Sequence, residues 1–429
     1  MNPSVSRTPL RLPLPKRGAP CWLRLGTVFD GHEVLTDAHL VYDAKRILHV
    51  GGPPPSYVVG ADRTEPDLHL PHHTALPGLI EAHAHLFLEG GELDPARRAT
   101  YLGLHETELL ARAESRLPRL VRLGVLAVRD AGDRNGVGLA LQRRDLSSSR
   151  GEMPYLDSPG AALHHQGRYG SFMGETIESF GTIEQAIAAR TAAGAHRIKL
   201  LATGIINFEK GAVTTKPQMS VEELTRAVTA AHALGRETMI HCSGNDGVQN
   251  CIAARVDTIE HGFFIDRDQL ARLRDLDIAW IPTFAPVHFQ WEHGTALGWS
   301  ELVRSNLRRI LDDHAARLRE AGELGVRIIA GSDAGSHGVP HGYGFFTELE
   351  IMEAAGLSTL QVLRSATGAS AGRLGLREDQ GRLRIGARSR FLLTDAPVLQ
   401  GVRHLRQPLT VVFDHAVFSG GDPSAKPGL

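Results

Sequence analysis

The chain has 429 residues, 42% of them hydrophobic, with 47 Lys and Arg against 48 Asp and Glu for a net charge of −1. That length suits one large domain with an accessory one, and the apolar fraction excludes a disordered chain. The balanced charge excludes a global basic field for nucleic acid or anionic lipid, and three cysteines (Cys21, Cys242 and Cys251) are too few for a disulfide framework.

Residues 1–20 read as a loose Pro-rich tail that lacks the continuous apolar stretch of a signal peptide. Strand-like runs follow at Cys21–Phe29, Ala38–Tyr42 and Arg46–Val50, broken by Gly-Gly-Pro-Pro-Pro, which predicts a small all-β segment. The texture then changes to eight apolar runs: Leu79–His83, Val125–Arg129, Tyr155–Leu163, Arg197–Ala202, Thr238–His241, Thr258–His261, Ala279–Thr283 and Arg327–Ala330. Helical patterns lie between them at Glu106–Leu123, Thr182–Ala193, Ser220–Leu234, Asp266–Leu276 and Ser300–Leu324. Ser220 with Glu223, and Thr182 with Gln185, read as helix-starting capping boxes.

Eight βα units over about 260 residues match the size of a TIM-type barrel. The Gly-rich fingerprint of a doubly wound open sheet is missing. Helices at Leu349–Ala355 and Thr359–Leu374 lead into strand texture at Gly381–Leu393 and Leu409–Val417. The predicted fold is α/β: a (β/α)8 barrel over residues 76–375, inserted into a small discontinuous β-sandwich domain built from 21–75 and 376–420. No window approaches the roughly 18 uncharged apolar residues of a spanning helix, so a soluble, cytoplasmic protein is expected.

The ends of the predicted strands carry the chemistry, where a barrel keeps its active site. His83 and His85 are two residues apart on one strand and so share a face. Lys199 lies within Ile198-Lys199-Leu200-Leu201, His241 and His261 end the fifth and sixth runs, and Asp333 follows the eighth. Only six of the 47 basic residues are lysines, so a lysine in an apolar strand asks for a reason that arginine cannot supply. Imidazoles and a carboxylate suit borderline divalent metals, zinc above all. These six side chains exceed what one tetrahedral ion needs. Two ions are the natural reading if Lys199, as a neutral amine, adds CO2 to give a bridging carbamate.

His83-Ala84-His85 after Leu-Pro-Gly-Leu-Ile-Glu-Ala, Lys199 in Ile-Lys-Leu-Leu-Ala-Thr-Gly, His241, His261 in Ile-Glu-His-Gly and Asp333 in Ala-Gly-Ser-Asp-Ala-Gly resemble the amidohydrolase superfamily. The pattern is most similar to its imidazolonepropionase-like group, which includes Xaa-Arg, Xaa-Lys and Xaa-Pro dipeptidases and carboxypeptidases. The resemblance runs from about Gly26 to Phe418, and a lone His-x-His would be weak without the other positions. It implies that His83, His85 and Asp333 hold a first metal, that His241 and His261 hold a second, and that carboxylated Lys199 bridges them.

In such a site a metal-bridging hydroxide attacks the scissile carbonyl, and Asp333 passes its proton to the leaving nitrogen. The resemblance also places His165 at the substrate carbonyl, with His164 as its competitor. Arg168 and Tyr169 are candidates to orient a substrate carboxylate. His337 and His341, on the loop after the eighth strand, are candidates for substrate contact. Ile205 after Ala-Thr-Gly, and Cys242-Ser243-Gly244 after His241, depart from the family pattern and leave the substrate subfamily open.

The expected activity is hydrolysis of an amide or peptide bond in a dipeptide or N-acyl amino acid. Cyclic-amide or lactone opening and deamination are the alternatives on the same scaffold, and a non-catalytic binding homologue is a further one. A small-molecule substrate is the expected partner, with no nucleic acid and no membrane. Relatives commonly assemble, so the resemblance allows a homo-oligomer.

Overall fold

The computed structural model describes residue 12 and residues 20–147, 153–376, 380–414 and 416–421. The predicted tail thus lies outside the described residues apart from Leu12 and Pro20. In chain order the strands are β1 (Cys21–Phe29), β2 (Val34–Tyr42), β3 (Ile47–Gly51), β4 (Leu68–Pro77), β5 (Leu79–Ala84), β6 (Val125–Asp130), β7 (Tyr155–Asp157), β8 (Ala162–His164) and β9 (Gly174–Thr176). They continue as β10 (Arg197–Leu201), β11 (Ile206–Asn207), β12 (Ala212–Val213), β13 (Glu237–Cys242), β14 (Thr258–His261), β15 (Ala279–Ile281), β16 (Arg390–Thr394), β17 (Thr410–Phe413) and β18 (Ala416–Ser419).

The two β-rich ends of the chain meet in one seven-stranded sheet, ordered β18-β17-β16-β4-β1-β2-β3. The strands pair continuously, with β4 taking β1 on one side and β16 on the other. The sheet curls far enough that Ile47 N donates to Ala387 O at 2.8 Å. Leu23, Leu25, Leu40, Phe391 and Val412 form an apolar core of its own on this sheet. Gly78 alone separates β4 from β5, so the chain passes directly from this sheet into the parallel strands.

The parallel strands form two runs, β5-β6-β7 and β15-β14-β13-β10-β8-β9. The third apolar run, expected to be continuous, splits into β7 and β8. Pro159 has no N–H to give a ladder, and Gly160 takes a positive φ of 64°. β7 then pairs with β6, while β8 pairs with β10.

The eighth run, Arg327–Ala330, forms no regular strand, yet it lies between β15 and β5. Trp280 N donates to Arg327 O (2.9 Å), Ala82 N to Ala330 O (3.1 Å) and Asp333 N to His83 O (2.7 Å). Gly331 permits this approach, because a Cβ there would sit 2.8 Å from the His83 Cβ.

Helices cover the strands with their apolar faces. Glu106–Arg122 buries Leu109, Ala113, Leu117, Leu120 and Val121, which recur at helical spacing. Ser220 and Thr182 cap their helices by accepting from Glu223 N and Gln185 N, while a reciprocal capping box forms at Asp266 with Gln269. The helix expected over Thr359–Leu374 breaks after Ser365, and the one expected from Leu349 starts earlier, at Tyr343. Among the described residues no helix is long and apolar enough to cross a membrane.

Candidate active site

Six side chains converge where the parallel strands end. His83 leaves β5 and His85 follows it, with ring centroids 5.7 Å apart. His261, at the end of β14, has its ring 5.1 Å from His83 and 4.7 Å from His241 on β13. Lys199, midway along β10, is buried, as is Asp333 beyond the eighth segment. His85, Lys199, His241, His261 and Asp333 all line one cavity of about 440 Å3. His83, His261 and Asp333 each bring one ligand atom to within 4.8 Å of the others.

The outer nitrogens are already engaged, which sets the tautomers. His83 Nδ1–H donates to Glu260 Oε2 at 2.7 Å, and His85 Nδ1–H to Gly132 O at 2.9 Å. The Thr283 hydroxyl donates its single proton to Pro282 O (2.8 Å), so it accepts from His261 Nδ1–H at 2.6 Å. Each of these three rings therefore keeps an Nε2 lone pair. His241 is reversed: its Nε2 approaches Gly204 O at 3.3 Å, which leaves Nδ1 as the lone-pair nitrogen. Such outer hydrogen bonds are how proteins aim imidazoles at a metal.

Two buried atoms at the centre, His83 Nε2 and Asp333 Oδ1, have no hydrogen-bond partner among the described residues. They lie 3.6 Å apart, and His85 Nε2 lies 3.5 Å from the same oxygen. A buried polar atom left unpaired costs about 1–3 kcal/mol. Nitrogen lone pairs and a carboxylate oxygen facing one another fit a divalent cation, which would satisfy all of them. His261, Thr283 and Asp333 also hold positive φ values of 68°, 49° and 54°. Backbone strain of this kind persists where the surroundings fix a site.

Electrostatics favour neutral imidazoles. Burial, reinforced by the charge of Lys199, pushes His85 and His241 down to about 3, and burial drives His83 and His261 well below the usual histidine range. Burial also pushes the Lys199 ammonium down and the Asp333 carboxyl up.

Behind the cluster lies a polar layer that the sequence reading did not single out. Glu260, fully buried, accepts from Arg129 Nη2 at 2.7 Å as well as from His83. Glu81, pushed up to about 7 by burial, accepts from Ser332 N (2.9 Å), Ser332 Oγ (2.5 Å) and His83 N (3.1 Å), tying the first strand to the eighth. Arg129, a charge inside the apolar run Val125–Asp130, carries part of the signal that marked Lys199 but not its rarity as a lysine. Arg98, on the helix Pro95–Leu102, lines the cavity and gave no such signal.

The remaining candidates divide. Tyr169 lines the cavity with its ring 5.2 Å from His241, and His337 lines it with Nε2 at 2.9 Å from Leu93 O. His164, His165 and Arg168 do not line it. His165 is held between Glu178 (2.7 Å) and Glu223 (2.8 Å), which occupy both ring nitrogens. His164 Nδ1 turns to His165 O at 2.9 Å, and exposed Arg168 donates to Lys216 O at 2.6 Å. His341 is buried, with Nε2 at 2.8 Å from Leu88 O.

The amidohydrolase family model matches residues 74–421, a span that holds every residue of the cluster. The chain belongs to the amidohydrolase family. This amidohydrolase is accordingly a hydrolase acting on carbon–nitrogen bonds.

Uncharacterised proteins of Mycobacterium tuberculosis and Mycobacterium bovis are each 25% identical to it over 291 residues, 68% of this chain and 72% of theirs. Among solved structures, an Xaa-Pro dipeptidase with methionine bound in its active site is 23% identical, with a TM-score of 0.76 over 94% of this chain and 100% of that one. A prolidase complexed with N-methylphosphonate-L-proline is 20% identical, also with a TM-score of 0.76 and coverage of 94% and 100%. The ochratoxinase of A. niger is 21% identical, with a TM-score of 0.75 over 94% of this chain and 96% of that one. At these identities the likeness shows a shared fold.

Proposed function

We propose that the amidohydrolase cleaves the amide bond of a dipeptide or N-acyl amino acid, using two divalent ions, zinc foremost. The observation that carries this reading is the pair of unpartnered atoms, His83 Nε2 and Asp333 Oδ1, buried among imidazoles whose other nitrogens are tied back. His83, His85 and Asp333 would hold one ion, and His241 and His261 the other. Lys199, once its amine has added CO2 and released a proton, would reach both through the carbamate oxygens. Ions held there activate water and withdraw electron density from the scissile carbonyl.

The chain supplies the rest. Glu260 and Thr283 hold the His83 and His261 rings in their tautomers. An Asp333 carboxyl oxygen takes the proton of the attacking water and delivers it to the leaving nitrogen, which is a poor leaving group until protonated. The Xaa-Pro dipeptidase and prolidase that share the fold support a substrate with an amino-acid amine half.

The architecture behind this reading is a (β/α)8 barrel over 76–375 with 21–75 and 376–420 as one discontinuous β domain. The hydrogen bonds of residues 327–334 to both β15 and β5 support it. A mass-spectrometric screen of metal-reconstituted protein against dipeptides and N-acyl amino acids tests the function. Release of a free amino acid by the wild type, absent in Lys199→Ala, is expected. Silence across the panel would overturn the reading.

A further inference from the structure

Two cations other than histidine line the cavity, and they differ in their surroundings. Lys199 lies deep among the metal-type ligands. Arg98 stands on the helix Pro95–Leu102, half-buried, and donates from Nη1 to Gly335 O at 3.1 Å. Buried arginines elsewhere in the chain have carboxylate partners: Arg129 with Glu260, and Arg197 with Asp157. Among the described residues Arg98 forms no ion pair, so most of its five N–H donors remain unused beside an open cavity. A guanidinium in that state suits a planar, bidentate acceptor such as a carboxylate.

Its position says which carboxylate. The Arg98 guanidinium is fastened to Gly335, two residues beyond Asp333. Asp333 delivers a proton to the leaving nitrogen, so the amine half of the substrate lies on this side. In an amino acid the α-carboxylate is two bonds from that nitrogen, within reach of a group held at Gly335.

The same cavity is walled by apolar side chains, among them Phe172, Phe208, Val287, Trp299 and Ile205. Ile205, one of the positions that depart from the family pattern, lines the cavity and is 56% exposed, a large apolar surface for a ligand to cover. The wall is held in place by linked hydrogen bonds. Trp299 Nε1 donates to Gln290 Oε1 (3.2 Å), Gln290 Nε2 to His337 O (3.0 Å), and His337 Nε2 to Leu93 O (2.9 Å), just before the Arg98 helix.

We propose that Arg98 anchors the α-carboxylate of the amine half and that Ile205, Phe208 and Trp299 receive its side chain. The substrate class is then N-acyl or N-peptidyl amino acids with a free carboxylate and a large apolar side chain. This rests on the amide-hydrolysis reading above, and binding and turnover separate the two. Calorimetry on the metal-loaded protein compares L-phenylalanine, phenethylamine (the same molecule without its carboxylate) and L-glutamate, for wild type, Arg98→Ala and Arg98→Lys. Metal content is measured in each variant to exclude damage to the ligand cluster.

The wild type should bind L-phenylalanine roughly 10- to 100-fold more tightly than phenethylamine, and more tightly than L-glutamate. The first ratio should fall toward one in Arg98→Ala and recover in part in Arg98→Lys. Equal binding of the first two ligands by the wild type, no binding of L-phenylalanine, or a ratio that survives Arg98→Ala overturns the anchor. Preference for L-glutamate overturns the apolar side-chain pocket. Hydrolysis of N-acyl amino acids is followed in parallel. Carboxylate-dependent binding without any amide hydrolysis would sink the amide reading and leave the anchor standing.

Discussion

Two histidine-bearing regions, alike in sequence texture, behave differently. At the ends of β5 and β14, His83 and His261 each have one ring nitrogen bound by the protein and one left over. After β8, His165 has both nitrogens bound by carboxylates, Glu178 and Glu223. The first arrangement leaves lone pairs aimed at a common point; the second closes a local network between a loop and a helix. A histidine's ability to ligate therefore depends on what its far nitrogen meets, and only tertiary structure decides that.

The largest expected effect comes from the group at the centre of the first region. Asp333→Ala should lower amide hydrolysis on the order of 10³-fold or more, with the fold retained by circular dichroism. Activity within tenfold of wild type would remove Asp333 from the reaction.

Next comes the layer behind it. Glu260→Gln leaves the fully buried Arg129 without its anionic partner, and breaking such a pair costs about 3–5 kcal/mol, measurable by urea unfolding. Metal affinity should fall roughly 10- to 100-fold as the His83 ring loses its charged orienter. Unchanged affinity would show that Glu260 serves the fold alone.

The smallest effect belongs to the second region. His165→Gln should leave hydrolysis within about twofold and lower stability by at most about 1 kcal/mol, since the pair is partly exposed. Burial opposes the charged ring there, but the hydrogen bonds to Glu223 and Glu178 outweigh it and raise its pKa. A raised histidine stabilises fully below its unfolded value of about 6.5, and the gain is lost as pH rises through the folded value. The stability gap between wild type and His165→Gln should therefore be present at acidic pH and shrink at alkaline pH. Thermal melts across that range check the sign, and a gap that widens at alkaline pH would contradict it.

The strands were legible because apolar runs bounded by glycine and charge are local signals. Thr258–His261 and Cys21–Phe29 appear in the structure with the expected residues. The break in the third run also had a local cause, Pro159-Gly160, although the run reads as continuous. The helix Asn245–Ala253 escaped because it is short and its N-cap, Gly244, offers no side-chain cap. Five of the six clustered residues were marked by residue type at or just beyond strand ends, and Lys199 by being a rare lysine inside an apolar strand. Their supports were not, because Glu81 meets Ser332 across 251 residues and His83 meets Glu260 across 177. Arg98 reaches the cavity from a helix whose sequence carries no chemical motif, so only the folded chain reveals it.

The most direct test is a zinc titration of metal-stripped protein, with bound metal measured by mass spectrometry and N-acyl amino acid hydrolysis followed at each step. Two tightly bound ions per chain are predicted, with activity rising as they fill and with His165→Gln unchanged. Binding of one ion or none, or full activity in the metal-stripped protein, would contradict the two-ion site.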